Sequence, residues 1–309
     1  MNIRNVLVPV DFSPASQLAV DFAAVFARTL GAQLTLLHVA ERSEAADVKA
    51  GKTNSDAALQ LSKMLPTVAS DDLNVQTRVR IGLVEDEISA AIDDEAADIV
   101  VMGTHHHGLI RRLLGGSVAG DMLRKMPVPM VTLASNANPR PVTRILFATD
   151  LTDSYQEGFR FALELARAFR ANLIVQYSIE PIPVSYGGSM PVIDDPTDRK
   201  HLVAQARLKL SELEAEGARE QVVVVSEVTE GAASEKILAA SEESECGLIV
   251  LTIRDRGLLE RALLGSTAER IVRDARVPVL SFPVRDVTNR IEARVHPEIS
   301  PILPSEAAE

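Results

Sequence analysis

Short apolar runs alternate with amphipathic stretches along the first half of the chain. Each apolar run has the length of a buried strand, and the stretches between them place apolar residues three or four positions apart, as in helices that pack on a sheet. This alternation predicts βαβ units, and therefore an open parallel sheet with helices on both faces. The predicted strands cover 4–10, 33–39, 74–80, 98–102 and 128–133, and the predicted helices cover 14–30, 55–69, 84–96 and 117–126.

The same order of patterns returns in the second half of the chain. The segment NVLVPVDFS at 5–13 matches RILFATDLT at 144–152, and LLGGSVAGDMLRKMPVPMV at 113–131 matches ALLGSTAERIVRDARVPVL at 262–280. Matches near both ends of the two halves indicate a duplicated domain. The sequence therefore predicts an α/β protein with two tandem open parallel five-stranded sheets.

The domain boundaries follow from where each copy begins and ends. The second copy is longer by ten residues, which we place in the Pro- and Gly-rich segment 180–196, a predicted loop. The end of the chain lacks clear apolar periodicity and is predicted to be partly disordered. The predicted parts are a first domain at 1–137, a linker at 138–142, a second domain at 143–284 and a C-terminal tail at 285–309.

The acidic balance of the chain disfavours polyanionic partners. Lys and Arg total 32 against 43 Asp and Glu, and the resulting net charge of -11 repels phosphate backbones and anionic lipid headgroups.

No apolar run approaches the roughly 18 residues of a membrane span, and the start of the chain does not have the pattern of a signal peptide. The single cysteine, Cys246, has apolar neighbours that predict a buried position rather than a reactive thiol. We expect a cytoplasmic protein without nucleic-acid or membrane partners.

The first candidate site residue lies at the end of the first strand. Ligands of open α/β sheets bind at the carboxyl ends of the strands, where the strand order reverses. The motif PVDFS places Asp11 at such an end, directly before a helix that Ser13 can cap and Pro14 can begin. Asp11 is therefore either a ligand-binding residue or part of a helix cap, and the sequence leaves both roles open.

The second candidate segment leads from the fourth strand to the last helix of the copy. Gly103 ends the strand, and Gly116 and Ser117 open the helix, whose unpaired N–H groups and dipole favour a phosphate. The alternatives are that Gly103 is only a turn glycine and that Ser117 is only an N-cap. Three adjacent histidines at 105–107 lack the spacing of a dedicated zinc site, so no metal site is predicted.

The order of these motifs resembles the universal stress protein family. The resemblance rests on a first strand ending in P-x-D, a second strand ending in LLHV, and VVMGTH leading through a loop to GSVA, and it covers 1–134 and 143–283. It implies an adenine nucleotide alpha hydrolase-like, Rossmann-like fold with the strand order 3-2-1-4-5. It also implies that the last strands of the two copies pair, so that the chain forms an intrachain pseudo-dimer.

ATP-binding members of that family carry the loop pattern G-x2-G-x9-G-S/T. On the first copy, Gly103, Gly116 and Ser117 match the pattern, whereas His106 stands in place of the second glycine. Glycine lets a phosphate approach the backbone closely, while histidine adds a ring that can donate a hydrogen bond. The nucleotide-binding residues that the resemblance implies are Pro9, Val10, Asp11, Val39, Gly103, His106, Gly116, Ser117 and Val118.

The second copy departs further from the pattern. Thr252 replaces the first glycine and Asp255 the second, and the negative charge of Asp255 opposes phosphate binding. The second site is therefore expected to be degenerate. Its counterpart residues are Asp150, Thr252, Asp255, Gly265, Ser266 and Thr267.

Two functions stay open at this point. The first is a stress-response or signalling module whose first copy binds ATP, or another adenine nucleotide, with Mg²⁺. The second is an ATP-independent binding or adaptor protein with a different small-molecule ligand, whose site the 180–196 insertion would shape. No catalytic residue is assigned, because neither a nucleophile with its base nor an arginine finger can be placed, and at most slow ATP hydrolysis is expected. Association of chains into homo-oligomers is left open.

Overall fold

A computed structural model describes residues 3–40, 52–64, 72–104, 127–152, 155–180, 196–255 and 265–285. The strands within these residues are β1 (Asn5–Val10), β2 (Gln33–Ala40), β3 (Val75–Ile81), β4 (Ile99–Thr104), β5 (Met130–Ala134), β6 (Arg144–Thr149), β7 (Asn172–Ile179), β8 (Val224–Glu230), β9 (Leu248–Asp255) and β10 (Val279–Arg285). The helices are α1 (Pro14–Leu30), α2 (Lys52–Lys63), α3 (Val84–Asp94), α4 (Tyr155–Phe169), α5 (Pro196–Arg219), α6 (Ala233–Glu243) and α7 (Ser266–Asp274).

The strands form one sheet with the order β3-β2-β1-β4-β5-β10-β9-β6-β7-β8. Within each half the order is 3-2-1-4-5 and neighbouring strands are parallel, which confirms the predicted fold class. The two halves meet at β5 and β10, which pair antiparallel with Leu280 opposite Val131. Thr132 strengthens this contact, because its hydroxyl donates to the Val279 carbonyl at 3.3 Å.

Helices cover both faces of the sheet. Side chains of successive strand residues point to opposite faces, so Val8 packs in the core that contains α1 whereas Leu7 packs in the core that contains α3. The first face carries α1, α2, α4 and α5, and the second carries α3, α6 and α7. On the first face the rings of Phe26 and Phe169 lie 5.4 Å apart, so one core extends across both halves.

Local signals fix the start and end of α1. Ser13 is the N-cap, its hydroxyl accepts from the Ser16 amide at 3.2 Å, and Pro14 takes the first helical position, as predicted. The helix ends at Leu30 and is capped by Gly31, whose φ of 66° is the left-handed conformation that glycine adopts without strain. The carboxyl end of β1 is therefore followed at once by a rigid helix N-terminus.

The predicted element ends differ from the structure at two helices. Helix α2 covers Lys52–Lys63 and is followed by a turn at Met64, whereas the prediction was 55–69, of which 65–69 lie outside the described residues. Helix α3 ends at Asp94, because Ala96 adopts a left-handed φ of 46°. The predicted helix 117–126 and nearly all of the predicted loop 180–196 and tail 285–309 lie outside the described residues.

The predicted linker at 138–142 packs against the second half of the chain. The Asn138 amide donates to the Arg276 carbonyl at 2.7 Å, and Arg140 pairs with Glu242 at 2.7 Å. Val142 is buried in the core of the first face. These contacts fix where the chain crosses from one copy to the next.

Cys246 lies in the core beside β9 with no exposed surface, as the sequence predicts. Burial raises the pKa of its thiol from the ordinary 9.0 to about 11, since the loss of hydration outweighs the nearby charges of Arg144 and Arg140. A pKa that is higher in the folded state favours folding below the unfolded value, and this contribution is lost as pH rises through the folded value.

We therefore expect the Cys246 thiol to make the protein less stable in alkaline solution. Between pH 7 and pH 10 its share of the loss is about 1.4 kcal/mol in the free energy of unfolding. Urea unfolding of the parent and of Cys246→Ala at both pH values measures this share, and the variant should lose less stability than the parent. Equal losses in the two proteins would contradict the prediction.

Candidate functional site

The strand order reverses between β1 and β4 in the first copy. Strand β1 pairs with β2 on one side and with β4 on the other, so the ends of these three strands lie at one edge of the sheet. Asp11 follows β1, Val39 lies near the end of β2, and Gly103 lies near the end of β4. A crevice at such a reversal is where open α/β sheets bind ligands, and three of the predicted site residues are brought to it.

Asp11 is exposed and organises the turn into α1. Its Oδ1 accepts from the Ser13 amide at 3.1 Å and from the hydroxyls of Ser13 and Ser16. Its own amide donates to Ser16 Oγ at 3.1 Å. The N-cap of α1 is Ser13, and Asp11 holds the capping hydroxyl in place, so the carboxylate is fixed in direction before any ligand arrives.

The turn after β1 contains a non-glycine residue in the left-handed region. Phe12 has a φ of 61°, which costs about 1 kcal/mol for a residue with a side chain. Its ring lies 4.3 Å from the ring of His38, and the Nδ1 atom of His38 lies 3.0 Å from the Val10 carbonyl oxygen. His38 therefore contacts the residues on both sides of Asp11, a role that the sequence interpretation missed.

Gly103 lies within β4 rather than in a turn. A Cβ atom at this position would lie 2.2 Å from the Ala15 carbonyl oxygen and 2.8 Å from the Ser16 amide nitrogen. The glycine thus lets the first turn of α1 pack directly on β4. Its assignment to a nucleotide stays a prediction, because the close contact seen here is with the helix.

The second copy holds the corresponding turn differently. The Oδ1 atom of Asp150 accepts from the amide and hydroxyl of Thr152, and Leu151 has a left-handed φ of 53°. The Leu151 amide donates to Thr149 Oγ1 at 3.0 Å, and Lys209 on α5 donates to the Leu151 carbonyl at 3.2 Å. A side chain of a distant helix therefore fastens this turn, which no signal in the sequence indicated.

Thr252 occupies the position in β9 that Gly103 has in β4. A Cβ at Gly158 of α4 would lie 2.2 Å from the Thr252 methyl carbon, so the glycine of this contact is on the helix in the second copy and on the strand in the first. Asp255 is the last residue of β9, in register with Arg285 of β10, and not part of a loop.

The last helix of the second copy begins as the repeat predicts. Gly265 precedes α7 with a φ of 80°, and a Cβ there would meet no atom within 4 Å. Ser266 is exposed and Thr267 is half-buried in the first turn. Unpaired amides at such a helix start attract anions, although Glu269 in the same turn adds a negative charge.

Part of the predicted site lies outside the described residues, namely His106, Gly116, Ser117, Val118 and the histidines at 105–107. Among the described residues, no group of three or more His, Cys, Asp or Glu side chains has the arrangement of a metal site. The helices of the described part also include none that is long and apolar enough to cross a membrane.

Fold and edge residues together define a tandem α/β protein whose two copies share the strand order 3-2-1-4-5. The sequence model of the universal stress protein family matches residues 2–133 and again 141–283. The chain therefore belongs to the universal stress protein family and contains that unit twice.

Individual relatives agree with this assignment. A universal stress protein of Methanocaldococcus jannaschii is 29% identical over 140 residues, which are 44% of this chain and 79% of that protein. A crystal structure of a universal stress protein from Archaeoglobus fulgidus aligns with a TM-score of 0.65 at 20% identity, over 92% of this chain and 99% of that one, and shows the same fold. Another structure from Archaeoglobus fulgidus is a complex with dAMP, at 20% identity and a TM-score of 0.32, over 46% of this chain and 99% of that one.

Proposed function

We propose that this protein is a nucleotide-responsive stress or signalling module whose first domain, 1–137, binds ATP or another adenine nucleotide with Mg²⁺. The observation that carries the proposal is the exposed Asp11 carboxylate, fixed by Ser13 and Ser16 at the point where the strand order reverses. A carboxylate there can accept hydrogen bonds from ribose hydroxyls. The dAMP complex of a family member supports an adenine nucleotide as the ligand class.

The neighbours of Asp11 suit the adenosine part of such a ligand. Val39 is half-buried at the end of the adjacent strand and offers apolar surface at this edge, whereas Val10 is buried in the core of the first face and supports the turn from below. Binding sites of this kind combine an apolar lining with a few fixed polar groups. The phosphates would extend toward Gly116 and Ser117, where the sequence predicts a helix N-terminus.

The second domain, 143–284, is proposed to have a degenerate site. Thr252 fills the gap beside α4, and Lys209 fastens the Asp150 turn from α5. We propose that this domain serves instead as a built-in partner, since β10 pairs with β5 and continues the sheet of the first domain. The tandem copy would then take the place of a second subunit.

Calorimetric titration with Mg-ATP tests the proposal after the preparation is checked for carried-through nucleotide. We expect one site per chain. Asp11→Ala should weaken binding about thirtyfold, because it removes hydrogen bonds to a charged group. The matched variant Asp150→Ala should leave the affinity unchanged.

Other stoichiometries contradict parts of the proposal. Two sites per chain, or equal losses in the two Asp variants, would refute the asymmetry between the domains. Absence of binding would refute the nucleotide proposal and favour an ATP-independent adaptor.

A second matched pair of variants tests the phosphate end of the site. Gly116→Val should abolish Mg-ATP binding, whereas Gly265→Val should leave it nearly intact.

A further inference from the structure

The Asp11 turn of the first domain depends on a side chain from the neighbouring strand. In the sheet, Val10 of β1 is in register with His38 of β2. The Nδ1 atom of His38 lies 3.0 Å from the Val10 carbonyl oxygen, and a carbonyl can only accept, so Nδ1 carries the hydrogen and donates. This bond fixes the peptide group that joins Val10 to Asp11.

The imidazole also contacts the residue that follows Asp11. The centroid of the Phe12 ring lies 4.3 Å from that of the imidazole at an interplanar angle of 37°, so the two rings are in contact. Phe12 needs such a contact because its φ of 61° is unfavourable for a residue with a side chain. His38 thus holds the backbone on both sides of the carboxylate.

At the same register the second domain has a tyrosine in place of this histidine. Tyr177 of β7 is opposite Thr149 of β6, and the ring atom of tyrosine that corresponds to Nδ1 is a carbon without a donor. Its turn is instead held by Thr149 Oγ1 and by Lys209, both of which bind Leu151. The two domains therefore fix the same left-handed turn by different contacts.

We propose that His38 is a positioning residue of the first-domain site, which acts through the Val10–Phe12 turn and holds the backbone from which the Asp11 carboxylate projects. Its effect on nucleotide affinity rests on the proposed function, whereas its effect on the turn does not. In the second domain, where the turn is fastened by Lys209, the tyrosine has no such role. The exchange of His38 for Tyr177 is thus one difference that makes nucleotide binding more favourable in the first domain than in the second.

Two variants separate the two contacts of His38. His38→Phe keeps an aromatic ring against Phe12 and removes the donor, and His38→Asn keeps a donor near the position of Nδ1 and removes the ring. The first readout is hydrogen exchange of the Asp11 and Ser13 amides, which donate to Ser16 Oγ and Asp11 Oδ1 in the intact turn. We expect exchange about fivefold faster in His38→Phe and partial recovery in His38→Asn.

The second readout is the affinity for Mg-ATP. His38→Phe should weaken it about tenfold, as expected for the loss of one hydrogen bond that orients the site. The matched variant Tyr177→Phe should change neither readout. Unchanged exchange at Asp11 and Ser13 in His38→Phe would overturn the positioning role, whereas a parent protein that does not bind Mg-ATP would overturn only the proposed function.

Discussion

Gly103→Ala should lower the free energy of unfolding by about 3 kcal/mol, at the upper end of what overpacking usually costs. The added Cβ would lie 2.2 Å from the carbonyl oxygen of Ala15 and 2.4 Å from its carbonyl carbon. Both are backbone atoms at the start of α1, so no side chain can rotate out of the way. The helix would have to lift from β4, which also moves the residues that hold Asp11.

Urea unfolding followed by circular dichroism measures this loss. The control is Gly265→Ala, because a Cβ there meets open space and the only cost is the left-handed φ of 80°. We expect about 1 kcal/mol for the control. Similar losses at Gly103 and Gly265 would show that the contact between β4 and α1 is looser than described.

Gly158→Ala should destabilise the protein by about 2 kcal/mol, although the same change in an open helix stabilises by roughly 1 kcal/mol. The reversal of sign has a local cause. A Cβ at Gly158 would lie 2.2 Å from the Thr252 methyl carbon and 3.2 Å from the Phe147 ring. The Thr252 side chain is therefore the main obstacle.

A double-mutant cycle isolates that obstacle. Thr252→Ser removes the methyl group and keeps the hydroxyl, so Gly158→Ala should cost about 1 kcal/mol less in this background than in the parent. Thermal or urea unfolding of the four proteins gives the coupling energy. A coupling energy of zero would mean that the helix and not the threonine resists the larger residue.

Much of the fold can be predicted because it depends on residues that are close together in the sequence. The strand runs are buried on both faces and read as continuous apolar segments, so their ends were placed within one or two residues in the first copy. The start of α1 is indicated by two adjacent residues, Ser13 and Pro14, and the duplication is indicated by short continuous motifs. Helix α2 is predicted less well, since the amphipathic pattern predicts a start at 55 whereas the helix begins at Lys52 and ends at Lys63.

The site was only partly predictable because its contacts join residues that are distant in sequence. Asp11 is a candidate from the motif alone. The motif does not reveal that its carboxylate accepts hydrogen bonds from both Ser13, the N-cap of α1, and Ser16. Lys209 reaches Leu151 across 58 residues, and no periodicity marks it. The motif predicts Gly103 as a turn or phosphate glycine, and the phosphate role stays a prediction; the sequence does not indicate its close contact with α1.

The antiparallel contact of β5 with β10 joins two unequal copies on one chain. In an assembly of two identical chains, every substitution appears twice, and the contact dissociates on dilution. In this chain the two copies can differ, as they do where β2 has His38 and β7 has Tyr177. Because both copies are on one chain, β5 and β10 stay at a high effective concentration. One half can thus diverge in sequence while still completing the sheet of the other, and the protein needs no equilibrium with a free subunit to do so.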